Sequence, residues 1–349
     1  MTRPTAVRDR ASVSFAGLGL GCLAGLVWLA VPGVVAAHGV APAEPPTVGS
    51  ILFGWTFPPM PTLGILATTV WWLWAVRRVD SLHPANPVPR RRTAAFLLGM
   101  LALAFALCSG IEHYDTSLFS IHMFQHVLLM LVAAPLIALS APITLTLRLS
   151  SPATRKRWLL PILHSRVVRV LAHPVVAWVM FAAMMWGVHF SPLFNAALED
   201  PWIHDLEHAI FLVGAILFWW PAVALDPAPY RMNHPGRIVY VFLQMTQNTF
   251  LAVAILFASD VLYQHYATIV RPWGISPLDD QRLGAGIMWV TGDLIFLTAI
   301  LALVYGWMKA EARDTARADR RADVEMARIR VRERLLAERL AQERAEPGA

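Results

Sequence analysis

Apolar residues run along this chain in long unbroken blocks, without the alternation of a half-buried strand or the regular polar return of a surface helix. Blocks of about the 20 residues needed to cross a bilayer recur near 60–76, 93–111, 117–141, 170–190, 202–224, 238–259 and 283–308. No water reaches the hydrocarbon to satisfy backbone groups, so runs of this length must be helical. The pattern predicts an all-α polytopic transmembrane bundle of seven helices, behind an N-terminal signal peptide or uncleaved signal anchor.

The remaining segments divide the chain. Residues 1–37 carry Arg3, Arg8 and Arg10, an apolar run from Val13 to Val35 and small residues up to Ala37, a leader pattern. Residues 38–59 form a linker with Pro42, Pro45, Pro46, Pro58 and Pro59, residues 60–308 the membrane domain, and residues 309–349 a densely charged tail predicted to be a solvated helix. Composition fits: 57% of the residues are hydrophobic, 15% charged, and the mean hydropathy is +0.52, too apolar for a soluble domain of this size.

A net charge of +6 would suggest nucleic acid in a soluble protein. Here the basic residues fill alternate gaps instead: Arg77, Arg78 and Arg90–Arg92; Arg148 through Arg169; Arg231 and Arg237. By the positive-inside rule these gaps face the cytoplasm, and so does the C-terminus. The other gaps carry Glu112, Asp115, Glu199, Asp200, Asp260, Asp279 and Asp280 and face outward. The expected location is the cell membrane, with lipid as partner and no nucleic acid. Trp71, Trp72, Trp74, Trp219 and Trp220 near inner ends, and Trp202 and Trp273 near outer ends, suggest aromatic belts.

On this topology His38, His113, His122, His126, His189, His204, His208 and His265 lie toward the outside, and only His83, His164, His173 and His234 toward the cytoplasm. Two pairs repeat one spacing, His122/His126 on the third predicted helix and His204/His208 on the fifth. An i, i+4 spacing puts both rings on one face, one turn apart, where they can chelate together. Both helices run from outside to inside with the pair in the opening turns, so if they are neighbours four imidazoles converge. Ionisable groups inside a membrane segment are costly and mark function.

With both cysteines, Cys22 and Cys108, inside apolar segments, a thiol site is excluded and the metal ligands must be imidazoles. These suit copper or zinc, and thioethers select copper(I). Met123 and Met288 are near enough to the outer face to contribute, and His113, Gln125, His189, Asp205, Glu207, His265, Asp280 and Gln281 are further ligand or supporting candidates, with the carboxylates suited to orienting imidazoles. His38 would add an amine and a ring if the leader were cleaved after Ala37. Asp293 is the deepest acid, fit for an ion path or an interhelical hydrogen bond.

Three other functions share these residues. His204-Asp205-Leu206-Glu207-His208 reads H-x-x-E-H, the inverted zinc-protease signature with Glu207 as base. Against a hydrolase, the other pair carries Gln125 where a base would stand, so an enzyme is not the expectation. Bis-histidine haem ligation through His126 and His208 would leave their helix partners without a role. A metal-free scaffold would use the histidines only to hold helices together.

The stretches from Ile121 to Leu136 (IHMFQHVLLMLVAAPL), Trp202 to Phe211 (WIHDLEHAIF) and Asp280 to Gly292 (DQRLGAGIMWVTG) resemble the multi-span CtaG-type cytochrome c oxidase assembly factors, over about residues 50–308. The resemblance implies a membrane protein that matures a haem-copper oxidase, with oxidase subunits as partners and, for copper delivery, a periplasmic or extracellular copper donor. It carries over to His122, Gln125, His126, His204, Glu207, His208, Asp280 and Gln281. Copper itself is read from the ligand types.

Overall fold

The computed structural model describes residues 42–345; the leader, Cys22 and His38 lie outside them. All regular structure among the described residues is helical. The main helices are α1 (Pro59–Leu82), α2 (Arg90–Cys108), α3 (Phe119–Val127), α4 (Pro174–His189), α5 (Leu193–Glu199), α6 (Pro201–Val223), α7 (His234–Leu256) and α8 (Pro277–Ala345). Starts are set by local chemistry. Proline stands in the first turn of α1, α4, α6 and α7, where its missing N–H costs nothing. Asp200 accepts the Trp202 N–H at 2.8 Å ahead of α6, and Asn233 the Gly236 N–H at 2.8 Å ahead of α7.

Each predicted apolar block falls in a helix, but among the described residues five helices are long and apolar enough to cross a membrane, or six if α4 and α5, bent by 70°, form one broken span. The block that accounts for the seventh is α1. Pro59, Pro61, Trp71, Trp72 and Trp74 dilute its apolar character although its 24 residues give ample length.

The tryptophans also differ from the belt expectation. Trp72 is wholly buried and stacks on Phe96 with centroids 4.1 Å apart, and buried Trp219 donates its indole N–H to the Met130 carbonyl at 3.0 Å. An indole with a stacking or hydrogen-bonding partner inside a bundle gains more there than at the headgroups. Trp202 is half exposed, at 51%.

α3 does not end at Val127. It widens into a π-helical turn over Leu128–Ala133 and resumes as Ala134–Ser140. Pro135 is the physical cause at hand: it has no N–H, and in an α-helix its ring would press on the carbonyl of Leu131, a clash that a wider turn relieves. The start of α3 packs closely against the first turns of α8. A β-carbon on Gly284 would lie 2.4 Å from Phe119, so only glycine admits that ring, which stacks on Tyr263 at 4.7 Å.

Two units partition the chain, up to Thr298 and from Ala299. In the second, residues 311–342 are exposed along the helix, with ion pairs such as Arg317–Asp314 at 3.2 Å that contribute little in water.

Candidate metal centre

α3 and α6 each present one i, i+4 histidine pair, and the fold brings the pairs together. Ring centroids are 4.2 Å apart for His122/His126 and 4.3 Å for His204/His208 along their helices. Across the helices they are 5.4 Å apart for His122/His204 and 5.7 Å for His126/His208. All four rings are buried, none more than 5% exposed. Phe194 from α5 stands edge-on to His122 at 5.3 Å, and Phe211 edge-on to His126 at 4.8 Å, so aromatic walls enclose the quartet.

Carboxylates enter the same space. One ligand atom each from His122, His126 and Glu207 lie within 4.8 Å of one another, and the same holds for Asp115, His204 and His208. Asp115 also approaches His204 Nε2 at 3.6 Å. Both ring nitrogens of His122, both of His126 and both carboxylate oxygens of Glu207 are buried without a hydrogen-bond partner. Each such group costs about 1–3 kcal/mol when left unsatisfied. Three of them converging within ligand distance is the arrangement a bound cation would satisfy, and two imidazoles with a carboxylate form a complete partial shell for a borderline transition metal.

The other candidates separate into cavity-lining side chains and braces. Met123, His189 and Met288 are buried and line one cavity with His126. Gln125 donates to the Ala106 carbonyl at 3.0 Å and to Glu112 at 2.7 Å, tying α3 to α2 and to the short helix Gly110–Tyr114. Asp205 is half-buried and His113 exposed.

Asp280 orients no imidazole. Its carboxylate accepts the Phe119 N–H at 2.8 Å and the Ser120 hydroxyl at 2.6 Å, and Arg271 lies 3.7 Å away. It thus caps the first turn of α3 from another helix, fixing where the histidine pair begins. Gln281 accepts the Leu262 N–H at 2.8 Å, and His265 reaches the Thr116 carbonyl at 2.9 Å through Nε2. A carbonyl only accepts, so that nitrogen carries the proton and is no ligand. Burial lowers the pKa of His265, consistent with a neutral brace. Asp293 accepts the Thr249 hydroxyl at 2.7 Å, which realises the interhelical hydrogen bond.

Asp115 and Glu112 were not among the expected site residues. Asp115 lies between spans, and burial, reinforced by Asp205 and opposed by the Thr116 N–H, pushes its pKa up to about 8. The available signal was two acids just ahead of His122 in an otherwise apolar stretch. It reads equally as an outer loop, because the Tyr266 hydroxyl bond that fixes this segment, to the Asp115 carbonyl at 2.9 Å, comes from far along the chain.

A family model described as cytochrome c oxidase caa3 assembly factor matches residues 70–310, more than half of the chain. The chain is 34% identical over 291 residues to uncharacterized proteins of Mycobacterium bovis and Mycobacterium tuberculosis, covering 81% of this chain and 44% of each of those. It is 30% identical over 287 residues to an uncharacterized protein of Mycobacterium leprae, covering 80% of this chain and 43% of that one. The chain therefore spans less than half the length of these relatives. No solved structure matches.

Proposed function

This chain belongs to the cytochrome c oxidase caa3 assembly factor family, and we propose that it serves oxidase assembly by holding copper at the His122, His126, His204, His208 quartet and passing it to oxidase subunits. One observation carries the reading: the buried ring nitrogens of His122 and His126 and carboxylate oxygens of Glu207 have no hydrogen-bond partner, and one such atom from each residue lies within 4.8 Å of the other two, close enough to share an ion. The quartet supplies borderline nitrogen donors, and Glu207 and Asp115 supply the charge that offsets a cation in a low-dielectric interior. Deleting the gene should lower oxidase activity and oxidase copper content while oxidase transcripts persist, with partial rescue by added copper. Unchanged oxidase copper in the deletion strain would remove the basis of the proposal.

The proposed topology has seven spans, with α1 as the first and α4 with α5 as a single broken one. The quartet then faces outside, within reach of a periplasmic or extracellular copper donor, and the charged tail lies in the cytoplasm. The motivation is the alternation of basic and acidic gaps. Single cysteines at Asp200 and Arg157 should label from opposite sides, Asp200 from outside; labelling of Asp200 from the cytoplasm overturns the sidedness and the outer centre with it.

Zinc is the second reading, because two histidines and a glutamate are also a catalytic zinc ligand set. In the H-x-x-E-H scheme Glu207 is the base for a metal on His204 and His208, whereas here its carboxylate groups with His122 and His126. That grouping, with every ring enclosed, favours holding an ion over hydrolysing a substrate. Purified protein containing zinc and hydrolytic activity would reverse the choice, iron with a Soret band would favour haem, and no metal after controlled loading would favour a scaffold.

A further inference from the structure

Next to the quartet lies a cavity of about 20 Å³, lined by His126 and His189 and by the thioether side chains Met123, Met130, Met185 and Met288. That volume holds roughly one water-sized particle. Its wall offers thioethers beside its imidazoles and no carboxylate, whereas carboxylates join the quartet.

His189 settles what the wall can offer. Its Nδ1 lies 2.7 Å from the carbonyl of Met185, one turn back on α4. A carbonyl only accepts, so Nδ1 carries the proton and Nε2 keeps its lone pair. That Nε2 is buried and has no hydrogen-bond partner, on a side chain only 3% exposed. His126, on the same wall, is likewise buried with both nitrogens unpartnered. Met288 is held in place through its backbone carbonyl, which accepts from the buried Asn248 amide at 3.2 Å. Methionine is commonly a gap filler, but filler alone leaves an imidazole lone pair buried beside sulfur with nothing to bind, at a cost comparable to a lost hydrogen bond.

We propose that this cavity is a second metal station, selective for a soft monovalent cation, copper(I), held by His189 Nε2 and by thioethers from among Met123, Met185 and Met288, with His126 shared between it and the quartet. Thioether donors are soft and favour copper(I), and the neutral imidazole suits copper as well, while neither suits magnesium. The absence of a carboxylate from the wall leaves a net charge of +1 at most to be buried, against +2 for a divalent ion, which favours the monovalent one again. The station stands on its own residues; that it takes its ion from the quartet rests on the function proposed above.

Copper(I) titration against a competing chelator, with X-ray absorption at the copper edge, tests it on the full-length chain in detergent. A Cys22→Ala/Cys108→Ala background ensures that any sulfur seen by copper is thioether. The expected result is a sulfur-ligated copper equivalent that is lost in Met123→Leu/Met185→Leu/Met288→Leu. These substitutions conserve volume and so preserve the fold. The loss of affinity should be at least the roughly 10- to 100-fold that removal of an outer-shell partner costs a metal site. His189→Ala should weaken the same equivalent. Copper bound without sulfur scattering, or sulfur scattering that survives the triple leucine variant with Met130→Leu added, overturns the station. His122→Ala/His204→Ala separates the two sites, since neither residue lines the cavity. If the quartet fails as a metal site while the station stands, this pair leaves copper binding intact and the leucine variant removes it. If the station alone fails, the effects reverse, and no copper in any variant overturns both.

Discussion

Replacing His122 and His204 together with alanine should weaken copper binding hardly more than replacing either one. The two rings are stacked across α3 and α6, with centroids 5.4 Å apart and an interplanar angle of 22°, and both are buried. If one ion draws ligands from both helices, the first substitution already leaves an incomplete shell, and each single variant should lose roughly 10- to 100-fold in affinity or more. The second then removes a ligand whose partner ion is mostly gone. Residues sharing one site show interaction energies of about 0.5–3 kcal/mol in a double-mutant cycle, and distant sites add. The alternative is visible in the structure, because Asp115, His204 and His208 form one ligand group and His122, His126 and Glu207 another. Additive losses, with two ions leaving independently in titrations of the two singles and the double, would establish separate centres and end the idea of a shared quartet.

The second large effect runs in opposite directions with and without metal. Glu207 is 7% exposed and neither of its oxygens has a hydrogen-bond partner. In the metal-free protein this carboxyl is a liability of about 1–3 kcal/mol, so Glu207→Leu should raise the unfolding temperature of metal-free protein. In the metal-bound protein the same group becomes a ligand. A ligand present at about a thousandfold its Kd stabilises by about 4.1 kcal/mol, and most of that gain should disappear in the variant. Thermal unfolding in detergent, with and without copper, reads both changes. A variant less stable than the parent when metal-free, and still raised as much by copper, would mean that Glu207 supports the fold and not the centre.

What the sequence discloses here follows the range of each interaction. The i, i+4 spacing of His122/His126 and His204/His208 is a local property of a helix, so the two chelating faces are visible before any fold is known. Their meeting depends on α3 and α6 being neighbours, which periodicity does not encode. Asp280 shows the limit best. A carboxylate at a helix start reads as a cap for its own helix, yet it caps α3 from 161 positions away. Trp72 and Trp219 mislead for a related reason: an indole prefers a membrane interface only where no aromatic ring or carbonyl inside the bundle is better placed, and Phe96 and Met130 are. The span count blurs at α1, where length and apolarity point different ways.

The π-helical turn at Leu128–Ala133 makes chain length itself a determinant in the middle of a helix. The wide turn takes up one residue more than an α-turn would; were the same residues wound as regular α-helix, everything beyond would turn by about 100° relative to His122 and His126. Ile137 and Ser140, now buried, would swing away from their neighbours while the histidines stayed in place. A further insertion, harmless in a surface loop, would here meet no second wide turn to absorb it and would rotate the half-helix beyond Ala133 relative to the one that carries the histidines. Homologous chains aligned across this stretch should therefore change their residue count only where the wide turn itself is gained or lost.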